Sequence, residues 1–81
     1  MTDKPTAEQA VLIQPQPAPT ELLAARTAAG LSQAEAAALC GLAAAMRWSE
    51  YERGVRTIDS ARWTLFLLAT GQHPTSSLIA R

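Results

Sequence analysis

The sequence has one cysteine, one histidine, one tyrosine and one phenylalanine in 81 residues, and each scarcity closes off a class of chemistry. A single cysteine, Cys40, excludes an internal disulfide and any multi-cysteine zinc site. A single histidine, His73, excludes a two-histidine metal site. Charge is equally sparse: Lys+Arg 7 against Asp+Glu 7 gives a formal net charge of +0, so the chain lacks the basic excess of a typical nucleic-acid binder. Long apolar runs are missing too. The longest stretch of large apolar residues, Leu65-Phe66-Leu67-Leu68, is far short of the ~20 residues of a membrane span, and no basic region followed by an apolar block opens the chain. The expectation is therefore a cytoplasmic protein without a membrane partner. No apolar/polar alternation is sustained, so no strand is expected. No nucleophile with a base can be assembled, so neither enzymatic activity, a cofactor nor a small-molecule substrate is expected.

What the chain does have is alanine. Apolar residues make up 48% of the sequence, and 17 of the positions are alanine, which predicts one small domain whose thin core is built from closely approaching helices and steadied by a partner subunit. Pro5, Pro15, Pro17 and Pro19 cluster before residue 20, and residues 1–19 read as a flexible Pro-rich arm. Its apolar cluster Val11-Leu12-Ile13 reads as an unstructured patch, with docking on the body or on a partner as the alternative. Gly30, Gly41, Gly54 and Gly71 each follow helix-favouring residues and read as helix terminators. The expected fold class is all-α, a compact four- to five-helix bundle over residues 20–71, followed by a tail over residues 72–81.

The first helix is expected to open at Thr20 as its cap, with Leu22, Ala25 and Ala29 on one face. Ser32-Gln33-Ala34-Glu35 predicts a second helix with a reciprocal cap between Ser32 and Glu35, a staple from Leu31 to Ala36, and an inner face of Ala36, Ala37 and Cys40. A third helix is expected from about Ala44 to Arg53, with Trp48 and Tyr51 inward, Val55 a candidate to join them, and Arg47, Glu50 and Arg53 outward. A last helix runs from about Asp59 or Ser60 to Thr70.

The register Gly30-Leu31-Ser32-Gln33, Ala37, Gly41-Leu42, Trp48, Tyr51-Glu52-Arg53-Gly54 resembles the helix-turn-helix of the λ repressor/Cro-like (XRE-type) DNA-binding family, over roughly Thr20 to Gly71. That resemblance implies a reading helix in the major groove and an ion pair between Arg26 and Glu52 that ties the first helix to the third. It gives Gln33 the role of a phosphate clamp. Ala45, Met46, Arg47 and Glu50 fall on the groove-facing side, with Arg47 placed for guanine O6 and N7 and Met46 or Ala45 for a thymine methyl. Glu50 can accept from cytosine N4 while its charge repels the backbone. Arg53 and Arg56 suit phosphates. Two departures stand out. The turn carries one residue more than the family spacing, at Ala43 or Ala44, and alanines replace the hydroxyl cap of the reading helix.

The last helix is apolar almost all round. Ile58, Leu65, Leu68 and Ala69 share one face with Arg62 or Ala61; Trp63, Phe66, Leu67 and Thr70 share another, which is expected to form the interface of a homodimer. Cys40 reads as buried and inert, and His73 as a tail residue. The whole is expected to be a homodimeric transcriptional regulator without a sensor domain, an autoregulating repressor on an inverted repeat of double-stranded DNA. The resemblance extends to phage or mobile-element regulators, including those associated with anti-CRISPR genes. The alternative is a protein-binding module, an antitoxin or inhibitor, that uses the same helical body.

Overall fold

Three of the four described helices start beside a side-chain oxygen that accepts a main-chain N–H, and a glycine follows each helix within two residues. The computed structural model describes residues 12–74; the remainder of the expected arm and tail lies outside these residues. Among the described residues there are four α-helices and no strand: α1 (Pro19–Ala29), α2 (Gln33–Leu39), α3 (Ala45–Glu52) and α4 (Ser60–Thr70). The described residues are thus all-helical, as the lack of sustained apolar/polar alternation predicts.

The N-terminal caps differ in chemistry. In α2 the Glu35 amide donates to Ser32 Oγ at 3.0 Å while the Ser32 amide donates to Glu35 Oε1 at 2.8 Å, so both orphan donors are satisfied reciprocally. Helix α1 starts one residue before the expected Thr20 cap. Pro19 occupies its first position, where the missing N–H costs nothing and φ is already helical. Ala18 is the cap residue, and its amide donates to Glu21 Oε1 at 2.9 Å. Asp59 caps α4 by accepting from the Arg62 amide at 3.0 Å. No side chain caps α3, whose cap residue is Ala44.

All four helices close in the same way. In α2, the Gly41 amide donates to Ala38 O at 3.1 Å and the Leu42 amide to Ala37 O at 2.9 Å, the paired bonds of a Schellman ending. Gly41 has φ +77° with open space where a Cβ would stand. Its requirement is therefore the left-handed backbone alone, which a side chain would strain.

The core contains Leu22, Ala25, Ala36, Ala37, Cys40, Trp48, Tyr51, Ile58, Trp63, Phe66 and Leu67, with Leu31 and Leu42 packed against it. Its centre is aromatic. Trp48 lies 5.0 Å from Phe66 and 6.3 Å from Tyr51 between ring centroids, and Trp63 stacks on Phe66 at 5.8 Å. The alanines Ala36 and Ala37, at most 1% exposed, let α2 approach its neighbours closely, so a few large side chains suffice to fill the interior.

Three expectations need correction. The face of α4 assigned to a dimer is the inner one: Trp63, Phe66 and Leu67 are 6%, 0% and 8% exposed within a single chain. The Thr70 hydroxyl donates to Phe66 O at 2.9 Å. With both faces apolar, periodicity could not choose between them, and the aromatic rings settled inward because they fill more volume. Leu65 is the residue left outside, together with Ala61 and Arg62. Val55 is 61% exposed rather than inward, because it lies beyond the glycine that ends α3.

His73 is buried rather than part of a loose tail; its ring Nε2 lies 2.6 Å from Leu12 O. Gln72 beside it donates from Nε2 to Ala25 O at 3.0 Å. Across the body, the Gln14 amide donates to Thr64 Oγ1 at 2.9 Å, and Pro17 is buried. Residues 12–18 are thereby held to α4 and the chain beyond it through main-chain groups, while the side chains of Leu12 and Ile13 stay exposed.

Candidate functional site

Glu52 is the point at which three helices meet. Its Oε2 accepts from Arg26 Nε and from Trp48 Nε1, both at 2.6 Å; its Oε1 accepts from Gln33 Nε2 at 3.1 Å and Arg26 Nη2 at 3.2 Å. Arg26 also donates from Nη1 to Leu31 O at 3.0 Å. Burial raises the Glu52 carboxyl, but the hydrogen bonds from Arg26, Trp48 and Gln33 outweigh it and hold the pKa below the usual value. The same bond raises the pKa of Arg26. Arg26 therefore ties α1 to the inner end of α3 and to the segment before α2. The ion pair involves the two residues expected from the sequence; the Trp48 and Gln33 contacts were not anticipated. Trp48 and Glu52 are four apart on one helix, a spacing that could have revealed the first.

With Glu52 turned inward, the rotational position of α3 is set and its other side faces out. Met46 is 67% exposed. Ala45 and Arg53 are exposed, and the side chains of Arg47 and Arg56 are 45% and 52% exposed. Arg47, Arg56 and Glu50 form a cluster in which Glu50 Oε1 lies 3.2 Å from Arg47 Nε and 2.8 Å from Arg56 Nε. Arg53 Nε donates to Ser49 Oγ at 3.3 Å. Gln33 stands apart from this group, since its amide is engaged by Glu52 rather than projecting from α2.

Arg62 was not among the expected site residues, yet it lines a shallow depression of about 410 Å³ with Gly41, Ala43, Met46, Arg47 and Glu50. It pairs with Asp59 at 3.1 Å. From Ala45 to Arg62 the outer surface therefore carries four arginines, Arg47, Arg53, Arg56 and Arg62, against two carboxylates, Glu50 and Asp59. The third carboxylate of this stretch, Glu52, is spent on Arg26.

Catalytic chemistry has little to work with here. Burial pushes the Cys40 thiol up, and its Sγ lies 3.1 Å from Ala36 O, which suits an inert core residue. Among the described residues no three His, Cys, Asp or Glu side chains converge as a metal site. No helix there is long and apolar enough to cross a membrane. The chain matches no protein-family model and no curated protein, so the reading of this face rests on its own geometry.

Proposed function

We propose that the chain binds double-stranded DNA in a sequence-dependent way, with α2 and α3 acting as a helix-turn-helix and the outer side of α3 entering the major groove. The observation that carries this reading is the inward anchoring of Glu52, which leaves an arginine-rich surface on a helix whose opposite side is locked to the body. A rigid helix presenting long donors outward is what groove readout requires. Arg47, in the first turn, is the candidate for a bidentate contact to guanine, and Met46 for apolar contact with a thymine methyl. Arg53 and Arg56, at the far end, suit phosphates.

A regulator of transcription, acting as a repressor on an inverted repeat, is the biological role this reading supports. Two copies would present their α3 helices about 34 Å apart, one turn of duplex. The pairing surface lies elsewhere than Trp63, Phe66 and Leu67, which a single chain already buries.

A second reading draws on Met46 and Val55, 67% and 61% exposed beside the arginines: exposed apolar side chains bordered by charge also suit a protein partner. Duplexes selected from a random pool distinguish the two. The Arg47→Ala chain is expected to lose about 1–3 kcal/mol for the selected duplex and to relax its choice at one base pair. If a dimer makes about six phosphate contacts, log K falls with log salt at a slope near −5. Selection that enriches no sequence, with a salt slope near zero, refutes DNA binding.

A further inference from the structure

Resting on the reading of this face as a DNA surface, we propose that Glu50 is its positioning residue: it holds Arg47 and Arg56 back from indiscriminate phosphate contact and releases them where a base offers acceptors in register.

Glu50 lies at the middle of the exposed side of α3. One of its oxygens, Oε1, is shared by Arg56 Nε at 2.8 Å and Arg47 Nε at 3.2 Å. Its side chain is 20% exposed, less than half the exposure of either arginine, so the carboxylate sits beneath the two guanidinium groups. The main chain holds the cluster together. Glu50 O accepts from the amides of Val55 at 2.9 Å and Arg56 at 3.3 Å, which folds the turn after α3 over Glu50 and delivers Arg56 to its carboxylate. Arg53 is not part of this arrangement; its Nε donates to Ser49 Oγ at 3.3 Å.

A carboxylate offers a guanidinium the same kind of oxygen acceptor as a phosphate does. A phosphate of arbitrary sequence must displace Glu50 and then lie beside its negative charge, so the exchange gains little. Guanine O6 and N7 give Arg47 a bidentate partner that the shared Glu50 oxygen does not, and the vacated carboxylate can accept from the N4 amine of a cytosine. Glu50 thus lowers binding to the wrong sequence more than binding to the right one, and specificity is that difference.

Glu50→Gln keeps the size and one acceptor oxygen while deleting the charge. The full chain is titrated with a duplex selected from a random pool and with a scrambled duplex of equal length, across a range of salt. The variant is expected to bind the scrambled duplex about tenfold more tightly, with a salt slope steeper by about 1 per subunit. Binding to the selected duplex changes less, so discrimination falls. Glu50→Ala, measured alongside, is expected to give the same ordering. In an Arg56→Ala background the gain from Glu50→Gln is expected to shrink to about threefold or less, because the restraint acts through the arginines rather than by direct repulsion. Wild-type chain that binds DNA while Glu50→Gln leaves slope and discrimination unchanged overturns the positioning role alone, as does a gain undiminished by Arg56→Ala. Failure of wild type and variants to bind either duplex overturns the DNA reading and the positioning role together.

Discussion

Glu52→Gln removes one charge from the inner end of α3 without changing the size of the side chain, and the cost follows from counting donors. Each carboxylate oxygen accepts two N–H groups: Oε2 from Arg26 and Trp48, Oε1 from Arg26 and Gln33. A glutamine has one oxygen and one NH2 group, so either orientation sets an amine against two donors. Facing Gln33 is the cheaper choice, because that amide can turn its own oxygen, but one Arg26 bond is still lost. Arg26, whose side chain is 19% exposed, then keeps its charge without a counter-ion. Breaking a fully buried pair costs about 3–5 kcal/mol. The residual exposure of Arg26 puts the expected loss near the lower end, about 3 kcal/mol. In a chain of this size that corresponds to a Tm lower by about 12–24 °C. Urea unfolding followed by tryptophan fluorescence reads the change directly, since Trp48 and Trp63 are both buried. Glu35→Gln serves as control: it makes the same chemical change at an exposed cap, where a glutamine oxygen can still accept the Ser32 amide, and is expected to cost under about 0.5 kcal/mol. A Glu52→Gln chain within about 1 kcal/mol of wild type, at unchanged denaturant slope, refutes the claim that this carboxylate holds the three helices together.

Acid is expected to act through the same group. The folded pKa of Glu52 is depressed, so the folded chain binds this proton less readily than the unfolded one; its stabilisation is whole above about pH 4.3 and is lost as pH falls through the folded value. Asp59, lowered chiefly by the Arg62 amide, adds a loss of the same sign. The urea midpoint is therefore expected to drop on the acid side of the unfolded carboxylate value, more steeply in wild type than in Glu52→Gln; equal pH profiles contradict the assignment. Cys40, 2% exposed with its thiol pushed up, is expected to react with a disulfide reagent only at the rate at which the chain opens. Labelling at the rate of a free thiol in native buffer would place it outside the core.

Much of this architecture was legible where one local rule decides. The Ser32–Glu35 cap, the glycine endings, the inner face of Ala36, Ala37 and Cys40, and the inward pair Trp48 and Tyr51 all follow from spacing along a single helix. Legibility failed where two rules competed or where the partner was distant in sequence. Pro19 displaced Thr20 as the start of α1 because a proline at the first helical position satisfies itself. The two apolar faces of α4 could be ordered only by the volume beside Trp48 and Phe66. His73 and Leu12 are 61 residues apart, and no periodicity links them. On the outer side of α3 the positions were readable, but their pairing was not: that Arg47 and Arg56 share one Glu50 oxygen depends on how the turn after α3 folds back.

The same pairing explains why the charge balance of the whole chain said so little. Net charge weights every carboxylate equally, whereas the structure gives the three carboxylates of residues 45–62 different electrostatic reach. Glu52 is turned inward and neutralised by Arg26, so it contributes little to the field outside. Glu50 lies under two arginines, and Asp59 caps α4 while pairing with Arg62. What projects over Glu50 is therefore guanidinium, while Asp59 stays exposed beside Arg62, in a chain whose formal charge is +0. Such a surface has little long-range pull, since its charges are compensated within a Debye length, about 8 Å at physiological salt. On the proposed DNA reading, any advantage over a uniformly basic face would come at contact, through the exchange of one arginine partner for another, and neutrality of the whole chain would then favour discrimination over non-specific affinity.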